Sequence, residues 1–267
     1  MCLLAFAINA HPQYPFVFAG NRDEFHARET AAAHWWDEAT DVFGGRDLEA
    51  GGAWLGMQRD GYFAVLTNFR DPDQKKPGAP SRGELVREFL AGPLDMNDMH
   101  EWLLRDGASY AGFNIIYGRL GSEPQLYWYS NAGGPEQPLL LEEGIHGLSN
   151  HLLDTPWPKV QRTTQGLDNV LHNDDVEHDM LQDLLDDPRP AADAHLPDTG
   201  IPTEWERLLS APKIISSEYG TRASTTLLLD RQGNASFVER SFDMAGREQD
   251  RREARFRVPD ASVNMGE

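Results

Sequence analysis

Short apolar runs separated by turn residues dominate the first 70 positions of the chain. The first two, residues 3–9 and 16–19, predict a pair of buried β-strands joined by a short connection. Two further runs, residues 54–57 and 62–68, enclose an Asp-Gly dipeptide at 60–61, which is a strong signal for a β-hairpin. The opening of the chain is therefore predicted to be rich in antiparallel β-structure.

Apolar positions at helical spacing predict several helices after this region. Ser81 and Glu84 have the spacing of a capping box, and the apolar positions that follow recur at helical intervals until Gly92 and Pro93. Further helices are predicted over residues 97–105, 158–172, 176–185 and 205–209. Further strands are predicted over residues 112–117, 126–129, 139–141, 145–148, 224–229, 235–242 and 254–258.

The order of these elements predicts one α+β domain over residues 1–258. Strands at both ends with helices between them indicate that the two termini of the domain share a sheet. The segment 186–202, rich in proline and aspartate, is predicted to be an exposed loop, and residues 259–267 a flexible tail.

Charge and composition narrow the classes of function. The 267 residues include 24 Lys and Arg and 43 Asp and Glu, and this formal charge of −19 excludes a basic nucleic-acid-binding protein. No stretch approaches the roughly 20 apolar residues of a membrane span, and the first ten residues lack the features of a signal peptide, so the expected location is the cytoplasm. The acidic, lysine-poor composition fits an ordinary solvated surface and also adaptation to high salt.

The chain has a single cysteine, Cys2, so a disulfide or a redox pair within the chain is excluded. A side chain this small permits removal of Met1, which would leave an α-amino group on the same residue as the thiol. An α-amine, with an ordinary pKa of about 7.7–8.0, can accept the thiol proton, and the thiolate can attack an amide carbonyl. The alternative is a small buried apolar residue in the first strand.

A cluster of polar residues, Asn21-Arg22-Asp23-Glu24, follows the second predicted strand directly. Such a cluster is typical of a solvated turn. If the first two strands are adjacent and antiparallel, however, the end of the second lies beside the start of the first. Arg22 would then lower the pKa of the Cys2 thiol, and Asp23 would hold the α-amino group.

Several short motifs occur in the order found in one known family. They are the Met-Cys start, Asn21-Arg22-Asp23-Glu24, Thr67-Asn68-Phe69-Arg70, Gly147-Leu148-Ser149-Asn150, residues 153–160 and Thr221-Arg222-Ala223-Ser224-Thr225. Nearly end to end, the chain resembles the NRDE family, also called the transport and Golgi organisation 2 family. That family is similar to the N-terminal nucleophile hydrolases, and among them to the cysteine enzymes that cleave bile-salt conjugates and penicillin V. The resemblance implies an α+β fold, a four-layer αββα sandwich with mostly antiparallel sheets.

The resemblance also implies roles for individual residues. Carried over by position, it makes Cys2 the nucleophile and Asp23 the residue that binds its α-amino group. Asn68 and Asn150 fall near the oxyanion and the substrate carbonyl, where fixed amide donors are useful. Arg222 falls near the nucleophile as a cationic partner.

One position departs from the pattern of the related hydrolases. They have an arginine three residues before the aspartate, whereas here Arg22 immediately precedes Asp23 and is expected to point to the opposite face of the strand. Either Asn21 or Arg22 could take that role, and the choice stays open. Asn21, Trp54 and Phe69 are the candidates for contact with the substrate.

Other ligand classes have weaker signals. The nine histidines form no metal-binding pair, and the glycines fit neither a Walker pattern nor a dinucleotide fingerprint, so we expect no metal and no cofactor. The glycine pairs at 44–45 and 51–52 are predicted to form turns or a lid near the site.

Two main hypotheses follow. The first is an N-terminal-cysteine amidohydrolase that acts on a non-peptide C–N bond of a small amphipathic molecule. The second is a binding or trafficking protein that holds haem or an acyl-lipid in the same cleft without chemistry, which the resemblance implies because family members are associated with such ligands. A purely structural role is a third hypothesis. The oligomeric state is left open.

Overall fold

The structure is a computed structural model that describes residues 2–74 and 76–259. Met1, whose removal is considered above, and all but the first residue of the predicted tail at 259–267 lie outside the described residues. The strands are β1 (Cys2–Ile8), β2 (Phe16–Phe25), β3 (Thr30–Trp35), β4 (Val42–Asp47), β5 (Leu55–Gln58), β6 (Tyr62–Asn68), β7 (Phe113–Arg119), β8 (Gln125–Ser130), β9 (Leu139–Leu140), β10 (Gly144–Leu148), β11 (Tyr219–Leu229), β12 (Asn234–Phe242) and β13 (Glu248–Arg257). The helices are α1 (Gly83–Ala91), α2 (Met96–Asp106), α3 (Pro158–Leu171), α4 (His178–Leu185) and α5 (Thr203–Leu209).

The strands form two antiparallel sheets. Within the described residues, one sheet has the order β10-β1-β2-β11-β12-β13, and the other contains β3 to β9 in sequence order. The first and last strands share a sheet, as the order of predicted elements implied.

The two sheets pack face to face, with helices on both outer faces. Leu4 and Phe6 of β1 meet residues such as Phe63 of the other sheet in the core between the sheets, whereas Ala5 and Ala7 face the opposite way, towards α3 and α4. Helices α1 and α2 cover the outer face of the second sheet. Because β1 is buried on both faces, its sequence is a continuous apolar run. The predicted four-layer αββα sandwich is confirmed.

Three local predictions need correction. The glycine pair at 44–45 lies inside β4 and not in a turn. The polar cluster that starts at Asn21 continues β2 and is buried at its first three positions, because β11 pairs with it on the side away from β1. The capping box does not form, since the amide of Glu84 bonds to the carbonyl of Ser81 and no side chain caps α1.

Strands β3 and β4 had no sequence signal, and glycine is the reason β4 packs where it does. A methyl group added at Gly44 would lie 2.5 Å from the carbonyl oxygen of Leu55 and 2.9 Å from the Cα of Gly56. Only a residue without a side chain lets β5 approach so closely.

The segment predicted as an exposed loop, 186–202, joins α4 to α5 and contains one 3-10 turn, Asp193–His195. Within residues 2–74 and 76–259, every helix is too short or too polar to span a lipid bilayer.

Replacing Gly44 with alanine tests the contact between β4 and β5. The added methyl group would meet backbone atoms, which cannot turn aside, so the free energy of unfolding should fall by about 1–3 kcal/mol. Gly121→Ala is the matched control, because a methyl group there meets no atom within 4 Å, and it should change stability by less than about 0.5 kcal/mol. Denaturant unfolding of both variants measures the difference. Equal stability would contradict the close approach of the strands.

Candidate active site

A cavity of about 700 Å³ opens where β1 begins. Its wall includes Cys2 from β1, Arg22 and Asp23 from β2, Asn68 from the end of β6, and Trp54 from the loop before β5. These five residues are all among the candidates that the sequence provided, so the fold brings together side chains from distant parts of the chain.

The register between β1 and β2 decides which residues share the cavity with Cys2. Cys2 lies directly opposite Arg22 in the antiparallel pair. Opposite residues project from the same face of a sheet, so Arg22 shares the inner face with Cys2. The guanidinium of Arg22 donates to Thr30 Oγ1 at 3.1 Å and lies 3.9 Å from a carboxylate oxygen of Glu24.

Asn21 projects from the other face of β2 and is absent from the cavity wall. Its amide donates to the carbonyl of Leu185 at 3.0 Å and to that of Pro212 at 2.9 Å, and its oxygen accepts from Ser224 Oγ. These bonds tie β2 to the end of α4 and to the chain after α5. Of the two residues that the sequence left open, Arg22 therefore shares the cavity with Cys2.

Asp23 is buried beside Cys2. One of its carboxylate oxygens accepts from Thr221 Oγ1 at 2.7 Å, and its carbonyl accepts from the Tyr219 hydroxyl at 2.8 Å. Burial raises the pKa of the Asp23 carboxyl, and the ammonium of Lys159 opposes that shift.

The electrostatic surroundings of the thiol are mixed. Burial raises the pKa of the Cys2 thiol, and the Asp23 carboxylate adds to that effect. The α-ammonium of the chain lowers this pKa, and so, to a smaller degree, do the Arg22 guanidinium and a hydrogen bond from the Asp23 backbone amide. Activation of the thiol therefore depends on a base or a further cation close to it.

The two asparagines lie at different depths. Asn68 lines the cavity, and its side-chain amide makes no hydrogen bond to another described residue. Asn150 is fully buried and outside the cavity wall; its amide donates to the Asn68 carbonyl at 2.9 Å. The amide of Asn68 can therefore donate to a ligand in the cavity, whereas Asn150 fixes the backbone of Asn68 by a hydrogen bond.

Arg222 does not lie along this cavity. It occupies a β-bulge in β11, and its Nη1 donates to the carbonyls of Phe25, His26 and Arg28. Arg222 therefore stabilises the turn after β2, and it lines a smaller cavity of about 160 Å³. Arg22 and Trp54 form part of the wall of both cavities.

Three cations in the wall had no signal in the sequence. Arg28, Lys76 and Arg82 surround the cavity together with Arg22. Arg28 forms a bidentate bond with Asp47, whereas the guanidinium of Arg82 donates to the carbonyl of Gly112. Arg82 is the N-cap residue of α1, one position after Ser81, which the sequence predicted as the cap.

A second cavity of about 710 Å³ adjoins the first and is more apolar. Phe69 lies here and not beside Cys2, together with Phe25, Ile201 and Trp205. Phe25, Asn68 and Arg82 line both cavities, so the two form a continuous cleft. One part of it is charged, with four cations against the three carboxylates of Asp23, Glu24 and Asp47, and the other part is apolar.

A group of charged residues lies behind the cavity wall, and sequence reasoning missed it. Arg70 and Glu206 form a buried salt bridge of 2.5 Å, and Arg70 stacks on Trp157 with 4.6 Å from its guanidinium carbon to the ring centroid. Lys159 is buried nearby, and burial lowers its pKa to about 8. Lys159 and Arg70 both belong to motifs of the family resemblance, which was the only sign of them.

Among the described residues, no group of three or more His, Cys, Asp and Glu side chains is arranged to hold a metal ion.

Comparison with known proteins identifies the family. Residues 1–244 match the sequence profile of the family described as transport and Golgi organisation 2. The chain belongs to this family. It is 34% identical over 259 residues to the Mus musculus transport and Golgi organization 2 homolog, covering 91% of this chain and 93% of the mouse protein, and equally similar to the Homo sapiens homolog, with the same coverage. The resemblance drawn from the motifs is confirmed.

A solved structure supports the fold of this family member. The Caenorhabditis elegans ortholog of N-acylethanolamine-hydrolyzing acid amidase superposes with a TM-score of 0.50 at 13% identity, covering 85% of this chain and 92% of that chain. The predicted fold of the N-terminal nucleophile hydrolase type is therefore confirmed. At this identity the likeness concerns the fold alone.

Substitutions at Asn21 and Arg22 should separate structure from reactivity. Arg22→Met removes a cation beside Cys2, so alkylation of Cys2 by iodoacetamide at pH 7 should slow by roughly threefold to tenfold. Asn21→Ala leaves two buried carbonyls without their donor, so the free energy of unfolding should fall by about 2 kcal/mol. The alkylation rate of the Asn21 variant, measured by intact mass, should match that of the wild type. The reverse pattern would contradict the assignment of Arg22 to the site.

Proposed function

We propose that this chain is an N-terminal-cysteine hydrolase that cleaves a non-peptide C–N bond in a small amphipathic molecule. The observation that carries the proposal is that the only thiol of the chain, Cys2, lies in the wall of a large cavity beside Arg22, Asp23 and Asn68. A nucleophile, an anchor for its α-amino group and an oxyanion donor are the parts that such a reaction needs.

The proposed reaction begins when the α-amine of Cys2 takes the proton of its own thiol. The sulfur then forms a bond to the substrate carbonyl carbon, and the amide of Asn68 stabilises the oxyanion. The C–N bond breaks as the leaving amine receives the proton. Water, deprotonated by the freed α-amine, then attacks the thioester, which releases a carboxylic acid and restores the thiol.

The cleft supports an anionic amphipath as the substrate. Arg82 lines both parts of the cleft and donates to a backbone carbonyl. Glu24 also lines both parts and acts on Arg82, but among the described residues the two form no ion pair, so the charge of Arg82 is available to a ligand. Phe69 and Trp205 provide an apolar wall in the adjoining part. A molecule with an acidic group and an apolar chain, joined near an amide, matches this arrangement.

A carrier function is the second proposal. Burial raises the pKa of the Cys2 thiol, which disfavours the thiolate and so favours binding without chemistry. The same cleft would hold haem or an acyl-lipid, since both combine acidic groups with a large apolar surface. A carrier releases its ligand unchanged, whereas a hydrolase releases two products.

Cys2→Ala separates these two functions. Purified protein is first checked by intact mass for loss of Met1 and then incubated with N-acyl amino acids, N-acylethanolamines, haem and acyl-CoA, with products identified by mass spectrometry. We expect the wild type to hydrolyse an anionic N-acyl compound and Cys2→Ala to lose turnover by at least about 10³-fold while it retains binding and its melting temperature. Turnover retained in Cys2→Ala would eliminate the mechanism. Tight binding without products in the wild type would favour the carrier.

Arg82→Ala tests recognition of the acidic group. Loss of a hydrogen bond between charged groups should raise KM or Kd for an anionic ligand by about tenfold or more, and that for a neutral N-acylethanolamine much less. Arg105→Ala is the matched control, because Arg105 is an exposed residue of α2 that pairs with Asp106 and lies outside the cleft. Equal effects on charged and neutral ligands would contradict the role of Arg82.

A further inference from the structure

Lys159 is a buried ammonium that the proposed reaction does not use. It lies in the first turn of α3 with 1% of its surface exposed, and its Nζ has no hydrogen-bond partner among the described residues. Burying an ammonium in this state is costly, and long charged side chains are rarely so fully enclosed unless they are paired. An electrostatic partner must therefore account for its presence.

The packing of α3 places Lys159 on the side of the sheet that Asp23 faces. Trp157 and Val160, which flank Lys159 in sequence, form a small core with Leu3 of β1. Because side chains alternate along β2, Asp23 faces the same way as Asn21, whose amide reaches the end of α4. Lys159, which is absent from the cavity wall, therefore approaches Asp23 from the helix layer, while Asp23 also borders the cavity.

The charges that face Lys159 come from every surrounding element. They are Asp23 from β2, Cys2 from β1, Arg70 after β6 and Glu206 from α5. Arg70 is bound to Glu206, and Glu206 also accepts from the backbone and the hydroxyl of Thr199. Glu206 is thereby satisfied, so the carboxylate that attracts Lys159 most strongly is that of Asp23.

The side-chain charges of this buried group sum to zero. Asp23 and Glu206 are the anions, and Arg70 and Lys159 are the cations. The α-ammonium of the chain also acts on Asp23 and Cys2. Removal of Met1 would place this third cation on Cys2 itself, away from water, where like charges oppose one another strongly.

We propose that Lys159 is a positioning residue that competes with the α-amino group of processed Cys2 for Asp23, so that the two amines share one proton. This inference rests on the proposed role of Cys2 as an N-terminal nucleophile. The competition keeps the α-amine uncharged for part of the time at neutral pH, and an uncharged amine is what accepts the thiol proton. Lys159 itself does not contact the substrate, and it does not accept the proton of the thiol.

The two amines are well matched for such competition. Burial lowers the pKa of Lys159 to about 8, which is close to the ordinary value of an α-amino group, about 7.7–8.0. A proton bound to one amine therefore disfavours protonation of the other, and the pair titrates as a unit.

The test measures the pH dependence of Cys2 alkylation by iodoacetamide in protein shown by intact mass to lack Met1. Lys159→Met and Lys159→Gln remove the competing cation, so the α-amine and the thiol should both lose protons at higher pH. The alkylation midpoint should move upward by about one pH unit. Lys159→Arg keeps a permanent cation, and its midpoint should lie at or below that of the wild type.

Lys213→Met is the matched control. Lys213 is also buried, but it pairs with Asp186, lies over the ring of Phe242 and is not among the charges that act on Cys2 or Lys159. The alkylation midpoint of Lys213→Met should equal that of the wild type. Thermal unfolding checks that each variant is folded. If Lys159→Met fails to fold, Lys159→Gln, which keeps a polar end group, provides the same comparison.

The outcomes separate this inference from the proposed function. An unshifted midpoint in both neutral variants, with Cys2 still reactive in all proteins, overturns the role of Lys159 and leaves Cys2 as a candidate nucleophile. Equal shifts in Lys159→Gln and Lys159→Arg also overturn it, because they indicate a steric effect and not a charge effect. Retention of Met1 in every preparation overturns both proposals. An alkylation midpoint that moves upward in the neutral variants, but stays at or below the wild-type value in Lys159→Arg, supports the competition.

Discussion

The antiparallel register between β1 and β2 is the constraint on which the site depends. It sets Cys2 opposite Arg22 and brings Asp23 next to the start of the chain. The register is firmly held, because β1 and β2 are buried on both faces and a shift by one residue would exchange the residues of the inner and outer layers. The apolar packing of the two strands therefore fixes the geometry of the polar groups at their ends.

The same alternation divides the electrostatic environment of Cys2 into two parts. Arg22 and Arg82 act from the cavity, where water and ligands have access. Lys159 acts from the helix layer, which is closed to solvent, and the buried Asp23 borders both this layer and the cavity. Interactions within the closed part are strong because little water screens them, whereas those in the cavity change with the ligand. The charges of the helix layer therefore act on the thiol in the same way at all times, whereas the electrostatic effect of the cavity depends on which ligand is bound.

The cationic cavity contrasts with the charge of the whole chain, which is −19. A negative surface repels an anionic ligand at a distance, but at physiological salt this repulsion decays within about 8 Å. The proposed recognition of an acidic group in this cleft would therefore depend on close contacts, above all with Arg82, and not on steering by the overall field.

The sequence by itself determined the layered fold and the one thiol that can serve as a nucleophile. Continuous apolar runs such as that of β1 predict strands buried on both faces, the single Cys2 limits the nucleophilic chemistry, and the order of motifs identifies the family and its fold. It could not reveal β4, because a strand with glycine at a close contact, as at Gly44, lacks an apolar pattern of its own. It could not reveal β3 either, because alanine, which forms half of that strand, is not typical of strands.

Only the tertiary structure decided the rest of the site. Asn21 and Arg22 are neighbours in sequence, yet one bonds to the carbonyl of Pro212, 191 residues away, and the other lines the cavity. Arg70 meets Glu206 across 136 residues, and Lys159 approaches Asp23 from a different layer. Local patterns report which face of an element is apolar. They do not report which polar groups from distant elements meet, because that depends on how the layers pack.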